Sequence, residues 1–414
     1  MSLDGFTESQ IQVREAIDSI CCKYPNEYWA QKDMEGSYPS DLHRDLAAGG
    51  WLGICMPEKY GGSNLGISEA TVMLQTIAES GAGIAGAQSI HANVYASTFF
   101  WTFATEDQRN RWLPPIISGS QRACFGVTEP NIGLDTLKLQ TRATRQGDNY
   151  IVNGKKIWIS SAQVAQKMVL LARTTPLDQL DNPSKGLSLF FPDIKEEDGV
   201  TPKKGVDLQR ISKMGGRAID ANQAMLILRL FRQVFFDDFE IPVADRIGAE
   251  GEGFKQILHG MNAERCLLAG EALGIGLAAL RRAARYASER VVFGRPIGQN
   301  QAIQHPLAQS WIDLEAAKLL TYSAAKAYDD HAAVKGSSNT DVGARCNAAK
   351  YFAAEVAFKA CERAVMTHGG MGYSADFHVE RYMREVFVPR IAPVSREMIL
   401  NFISQKVLGL PKSY

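Results

Sequence analysis

Apolar residues recur at helical spacing along residues 1–124, shift toward strand-like alternation over 125–241, and return to helical spacing over 242–414. In the first zone, "FTESQIQVREAIDSICCKY" reads as an amphipathic helix with Thr7 as its N-cap. "SEATVMLQTIAESGAG" and "TEDQRNRWLPPIISG" read the same way, and "PEKYGGSNLG" reads as a loop between helices. In the second zone, "DNYIVNGKKIWIS" carries Asn153-Gly154 between two strand-like runs, the signature of a tight hairpin. "KMVLLARTT", "GLSLFFPDI" and "QVFFDDFEIP" are further strands bounded by turn residues. In the third zone, "EALGIGLAALRRAARYASER" and "NAAKYFAAEVAFKACERAVMTHGG" are long and Ala-rich, as a helix bundle requires. The expectation is an α+β multidomain chain: an N-terminal α-helical domain (1–124), a β-domain (125–241) and a C-terminal α-helical bundle domain (242–414). A length of 414 residues agrees, being too long for one ordinary core.

Composition narrows the class. Lys+Arg and Asp+Glu balance at 45 each, so no charge excess draws the chain to nucleic acid or to an anionic membrane. No apolar run approaches the roughly 20 residues of a membrane-spanning helix. The opening "MSLDGFTESQIQ" has early acids and no apolar core, so neither a secretion signal nor a transit peptide is expected. The 7 Cys lack metal-ligand spacing and Cys21 and Cys22 are adjacent, so neither a metal site nor a disulfide framework is expected. A cytoplasmic location follows as the expectation.

Four stretches carry chemistry. "FGVTEPNIGLDT" presents Thr128 and Glu129 before a proline and then Gly133, a loop able to offer backbone N–H groups and a hydroxyl to a planar ligand; its bland reading is an ordinary helix-to-strand connection. "KKIWISSA" sets Trp158 beside two serines at a strand end, an aromatic wall next to hydroxyl donors, or simply strand core. "RVVFGRPIGQNQAIQHPLAQ" gathers Arg290, Arg295 and Gln301 in a loop that opens a helix, suited to phosphates or to plain solvation. "THGGMGYSADFHVERYMRE" has three glycines in four positions, which permit close backbone approach or a helix-ending turn.

In order along nearly the whole chain, these stretches resemble the acyl-CoA dehydrogenase family, as do "GWLGICMPEKYGG", "FATEDQRNRWLPPIISG" and "GAEGEGF". The resemblance implies a helical domain, a β-domain and a four-helix bundle, with one FAD per subunit of a homotetramer. It implies removal of the α-proton and β-hydride of an acyl-CoA thioester, as in fatty-acid β-oxidation, with an electron-transferring flavoprotein as acceptor. By motif position, Phe125, Val127, Thr128, Gly133, Trp158 and Ser160 line the flavin, and Ser395 stands where a flavin-contacting Thr is usual. Arg290, Phe293, Gln301 and Gly370 reach the FAD of a neighbouring subunit.

The common family base, a Glu late in the chain, is absent: its position in "RIAPVSREM" falls on Pro393. The resemblance to the isovaleryl- and long-chain-type branch instead implies Glu264 as base, followed by Arg265, which with Asn262 faces the CoA portion. This accounts for a charged pair inside the small-residue helix "GMNAERCLLAGEALGIG", where dryness raises a carboxyl's basicity. Glu271 lies on the same helical face and is the rival base. The resemblance implies that a backbone N–H at this position helps hold the thioester oxygen; proline has none, so Val394 or a shifted backbone supplies it, or the flavin ribityl hydroxyl works with less help. Met366 and Leu134 stand where polar contacts are common, and "AMLILRLFRQ" (224–233) is an extra segment without an assigned role. Two other classes remain: another flavin reaction (oxidase, hydroxylase or desulfinase) and a non-catalytic acyl-CoA-binding subunit.

Overall fold

The computed structural model describes residues 5–219, 221–223, 234–333 and 339–413; the extra segment 224–233 lies outside them. The N-terminal helices are α1 (Glu8–Cys21), α2 (Asn26–Glu35), α3 (Ser40–Ala48), α4 (Ile67–Ile77), α5 (Gly83–Phe103) and α6 (Glu106–Ile117). Their starts follow local chemistry. Thr7 caps α1 by accepting from the Gln10 N–H at 3.2 Å, and the Gln10 side chain accepts the Thr7 N–H at 3.1 Å. Thr105 and Gln108 repeat this reciprocal cap on α6. A single wide turn, Ala78–Ala82, joins α4 to α5, with Gly81 at φ 112.

The middle zone is a mixed sheet of β1 (Ala123–Gly126), β2 (Arg142–Gln146), β3 (Asn149–Ser160), β4 (Lys167–Arg173), β5 (Leu187–Phe190), β6 (Val206–Asp207), β7 (Gln209–Ile211), β8 (Ala221–Gln223), β9 (Val234–Pro242) and β10 (Arg246–Ile247). The main path runs β10-β5-β4-β2-β3-β8-β7, with β1 parallel to β4 and β9 antiparallel to β3. The hairpin expected at Asn153-Gly154 is not there. The turn falls at Gly147-Asp148, between the paired residues Gln146 and Asn149, with Gly147 at φ 59. Asn153-Gly154 sits inside β3 at a register shift. Asn153 exchanges hydrogen bonds of 3.0 Å with the side chain and N–H of Asp238, and a Cβ on Gly154 would stand 2.6 Å from the Thr141 Cα. Glycine here serves a bulge and a close approach, not a turn.

The third zone holds α7 (Gly253–Glu289), a short hairpin of β11 (Val291–Val292) and β12 (Arg295–Pro296), α8 (Gln301–Ala333), α9 (Asn339–His368), α10 (Val379–Glu385), α11 (Val388–Ile391) and α12 (Arg396–Lys406). α7 is the axis of the molecule, packing against α4, α5, α8 and α9. Its small residues make this possible: a Cβ on Gly274 would lie 2.4 Å from the Gln75 carbonyl, and one on Gly260 would lie 2.6 Å from the Phe99 ring. α12 packs on α9 as the fourth helix of the bundle. Arg384 stitches the three zones, donating to Asp33 at 2.7 Å, to the Met214 carbonyl at 2.9 Å and to Glu380 at 2.6 Å.

Candidate active site

The seam between α5 and α7 is the chemically dense part of the fold. The helices run antiparallel, and one face of each is polar where its surroundings are apolar. Tyr95 hydrogen-bonds Glu264. One turn back on α5, the His91 Nδ1 lies 2.7 Å from the Glu271 carboxylate, and the Gln88 amide donates to the other Glu271 oxygen at 2.8 Å. Phe99 closes the far end over Gly260. Seen from the sequence, Glu264 and Glu271 are equivalent acids on one helix face. In the fold they differ: Glu271 is fully buried with both oxygens engaged, whereas Glu264 keeps part of its surface open in a recess enclosed by protein. Burial is the largest influence on the Glu264 carboxyl and pushes its pKa above the ordinary range, against the pull of His91, the Tyr95 hydrogen bond and Arg265. Burial pulls the His91 imidazole down, but Glu271 and Glu264 outweigh it and its pKa is raised.

Arg265, beside the acid, donates to Asn262 at 2.7 Å, while its Nε is buried without a partner among the described residues. α9 adds a residue that sequence reasoning missed, the buried Lys350. Its ammonium donates to the Val394 carbonyl at 2.8 Å, and its charge interacts with Arg265 and Glu264. Burial, then Arg265, depresses the Lys350 pKa to about 8. The loop at Pro393 is thereby tied to the recess from behind. Ser395 is used locally, capping α12 by accepting from the Met398 N–H at 3.4 Å.

On the sheet side, β1 delivers Phe125, whose ring stacks on Tyr95 at 4.8 Å, so the strand and the acid's partner share a wall. Beyond it, Val127 and Thr128 are held through their carbonyls: the Lys156 ammonium donates to Val127 at 2.8 Å and the Ile157 N–H to Thr128 at 2.9 Å. Below lies a buried ion pair, Lys156 to Glu129 at 3.0 Å, with Glu129 also accepting the Gln140 and Thr141 N–H groups. Trp158 is not strand core. A register shift between Ile157 and Ile159, with Trp158 at φ 63, turns its ring outward to 57% exposure. Ser160 is partly exposed two residues on. A Cβ on Gly133 would meet nothing within 4 Å, and Leu134 is exposed. An open loop with fixed carbonyls beside an outward-turned indole is a cradle that fits a planar ring system.

The remaining expected residues lie at the end of α7, in the hairpin and helix start that follow it, and in the turn after α9. Arg290 ends that helix, and Phe293 tips the β11–β12 hairpin fully exposed at φ 55. Gln301 opens α8, and Gly370 has open space where a side chain would stand. Met366, Met371 and Tyr373 are exposed on this same glycine-rich stretch. None of these residues contacts the Glu264 recess of its own chain through any hydrogen bond or ring contact among the described residues.

Comparison with known proteins identifies the family. The chain matches the acyl-CoA dehydrogenase N-terminal domain over residues 7–120, the middle domain over 124–227 and the C-terminal domain over 251–408. It is 34% identical to the acyl-CoA dehydrogenase FadE12 of Mycobacterium tuberculosis, covering all of both chains. It is 29% identical to the caffeyl-CoA reductase-Etf complex subunit CarC of Acetobacterium woodii, covering 92% of this chain and 93% of that one. Among solved structures, butyryl-CoA dehydrogenase from Megasphaera elsdenii superposes with a TM-score of 0.86 at 28% identity, covering 99% of this chain and all of that one. The chain therefore belongs to the acyl-CoA dehydrogenase family, a family of FAD-dependent oxidoreductases. Among the described residues, no helix is long and apolar enough to cross a membrane.

Proposed function

We propose that this chain catalyses the FAD-dependent α,β-dehydrogenation of an acyl-CoA thioester, with Glu264 as the base. The observation that carries this reading is the contrast on α7. Of two acids on one helix face, only Glu264 keeps an open surface, in dry surroundings that raise its basicity. The Glu264 carboxylate takes the α-proton, and the electron pair of that C–H bond becomes the second bond between Cα and Cβ. The chemistry FAD supplies when bound is acceptance of the β-hydrogen with its electron pair at N5. Phe125, Val127, Thr128, Gly133, Trp158 and Ser160 would hold the flavin, and Ser395 would approach it from the α12 cap. Arg265 and Asn262 would meet the CoA portion, in keeping with the buried Arg265 Nε that lacks a partner. The Val394 N–H is the donor we assign to the thioester oxygen, because Pro393 has none.

The arrangement of three domains, divided at 124/125 and 241/242, belongs to the same reading, as does a homotetramer. The exposed surface of Arg290, Phe293, Gln301 and Gly370 suits contact with a neighbour's FAD. The apolar residues Trp311, Ile312 and Leu319 on the outer face of α8 suit burial by another copy. An electron-transferring flavoprotein is the proposed acceptor and the cytoplasm the proposed location. The aromatic group Tyr95, Phe99 and Phe125 beside the recess favours a second reading, in which the acyl group carries a ring.

The test is anaerobic titration with butyryl-, isobutyryl- and 3-phenylpropanoyl-CoA while the absorbance of oxidised flavin is followed. Bleaching that disappears in Glu264→Gln supports the reading. Bleaching at the wild-type rate in Glu264→Gln refutes the base.

A further inference from the structure

We propose that His91, clamped by Glu271, is a positioning residue that keeps Glu264 charged and able to accept a proton. This rests on the reading of Glu264 as the base and extends it to two residues that the reading does not use.

The argument starts from spacing. On α7, Glu264 and Glu271 are seven residues apart, two turns of one face, or about 10 Å. On α5, His91 and Tyr95 are four residues apart, one turn or about 6 Å. Tyr95 meets Glu264 and His91 meets Glu271, so the shorter α5 interval is spanned by the longer α7 interval. The imidazole therefore lies between the two acids. The Tyr95 and His91 rings, 6.0 Å apart by centroid, fill the seam on the α5 side.

Hydrogen bonding fixes the ring. Nδ1 faces Glu271 at 2.7 Å, and the other Glu271 oxygen accepts from Gln88 at 2.8 Å. His91 has no further hydrogen-bond partner among the described residues, which leaves Nε2 and the ring's charge to act on what lies beyond. Glu271 is 0% exposed and His91 6%, so water screens this interaction poorly. The Glu271 oxygen 2.7 Å from Nδ1 favours a proton on the ring between them. The raised pKa of His91, with Glu271 and Glu264 as the causes opposing burial, agrees with that geometry.

The need for such a device follows from the recess itself. Dryness makes Glu264 a stronger base, and the same dryness favours its neutral form, which cannot accept a proton. The groups facing Glu264 are Tyr95 and His91 from α5, Arg265 and Glu271 from α7, and Lys350 from α9. Arg265 is engaged with Asn262, and Lys350 with the Val394 carbonyl. Both of those partners are neutral and leave Arg265 and Lys350 charged, but His91, held in the seam by Glu271, is the foremost group opposing the effect of burial on Glu264. Glu271 and Gln88 thus serve the base at one remove: they hold the histidine, and the histidine holds the charge.

The test compares wild type with His91→Gln and His91→Asn, two neutral amides of different length that can still donate to Glu271, and with His91→Lys, which restores a cation. The first readout needs no turnover. The infrared band of the protonated Glu264 carboxyl, identified by its loss in Glu264→Gln, is followed against pH. The second is the pH profile of flavin reduction by butyryl-, isobutyryl- or 3-phenylpropanoyl-CoA. Glu264 must be ionised to act, so the rate falls as pH drops through its pKa. Both midpoints are expected to rise by about one unit or more in the amide variants, the scale for losing a nearby opposite charge. They are expected to return toward wild type in His91→Lys. An unmoved infrared midpoint in either folded amide variant overturns the proposal. The failure of the base reading looks different: Glu264→Gln then reduces flavin as fast as wild type, whatever the titrations show.

Discussion

Replacing Gly274 by alanine tests whether the close packing of α7 supports the site. The added Cβ would stand 2.4 Å from the Gln75 carbonyl oxygen, 2.7 Å from the Ala78 Cβ and 2.9 Å from the Glu79 nitrogen. Two of these three atoms are backbone and cannot swing aside. Ordinary contact begins near 3.4 Å, so the two helices must part by about 1 Å at this point. Overpacking of this kind costs about 1–3 kcal/mol. The parting opens α7 from α4, whereas the Glu271 bonds to His91 and Gln88 run to α5, so those bonds are expected to survive. Alanine returns about 1 kcal/mol through helix propensity. The expected balance is a loss of about 1–2 kcal/mol, the upper half of the overpacking range, because backbone atoms cannot yield, less the propensity gain. Urea unfolding followed by far-ultraviolet circular dichroism reads it, with Gly133→Ala, where a Cβ meets nothing, as the control. A Gly274→Ala protein as stable as wild type would refute the close-packing argument.

Two further predictions concern lysines. The Lys350 ammonium holds the Val394 carbonyl with a pKa depressed to about 8 by burial, so the charge is present below that pH and lost as pH rises through it. An alkaline limb near pH 8 is expected in acyl-CoA-dependent flavin reduction, moved to higher pH in Lys350→Arg; a limb unchanged by that substitution removes Lys350 from the site. Lys156→Met strips the buried Glu129 of its ion-pair partner, which typically costs roughly 3–5 kcal/mol. The lower end is expected because Glu129 keeps the Gln140 and Thr141 N–H groups, and loss of the Val127 anchor should speed flavin release in a dialysis assay.

The three-zone architecture was legible because each zone's periodicity reports which face is buried, and that face is the one thing a helix or strand cannot hide. Thr7 was legible as a cap because the rule is local. Asn153-Gly154 misled for the opposite reason. Its dipeptide is a turn signal by composition, but Asp238, 85 residues away, pairs with Asn153 and keeps the strand running. Trp158 has the pattern of core, and only the bulge beside β8 turns it outward. The His91–Glu271 pair joins residues 180 positions apart and has no local signature. The one available hint was the run Gln88, His91, Tyr95, polar groups at helical spacing on an otherwise apolar helix. Lys350 sits in an Ala-rich helix that looks amphipathic on paper, and only the packed bundle buries it.

The exposed hairpin tip at Phe293 separates where a lesion sits from where its damage falls. If the tip completes the flavin site of the adjoining copy, Phe293→Ala leaves its own catalytic recess whole and starves the next one. Glu264→Gln does the reverse. Each protein alone is inactive, yet co-expressed they complement. In a mixed pair, the copy that retains Glu264 receives an intact tip from its partner, so one working centre is regained at the expense of the other. Such genetics treats the pair of chains, rather than the polypeptide, as the unit on which mutation acts.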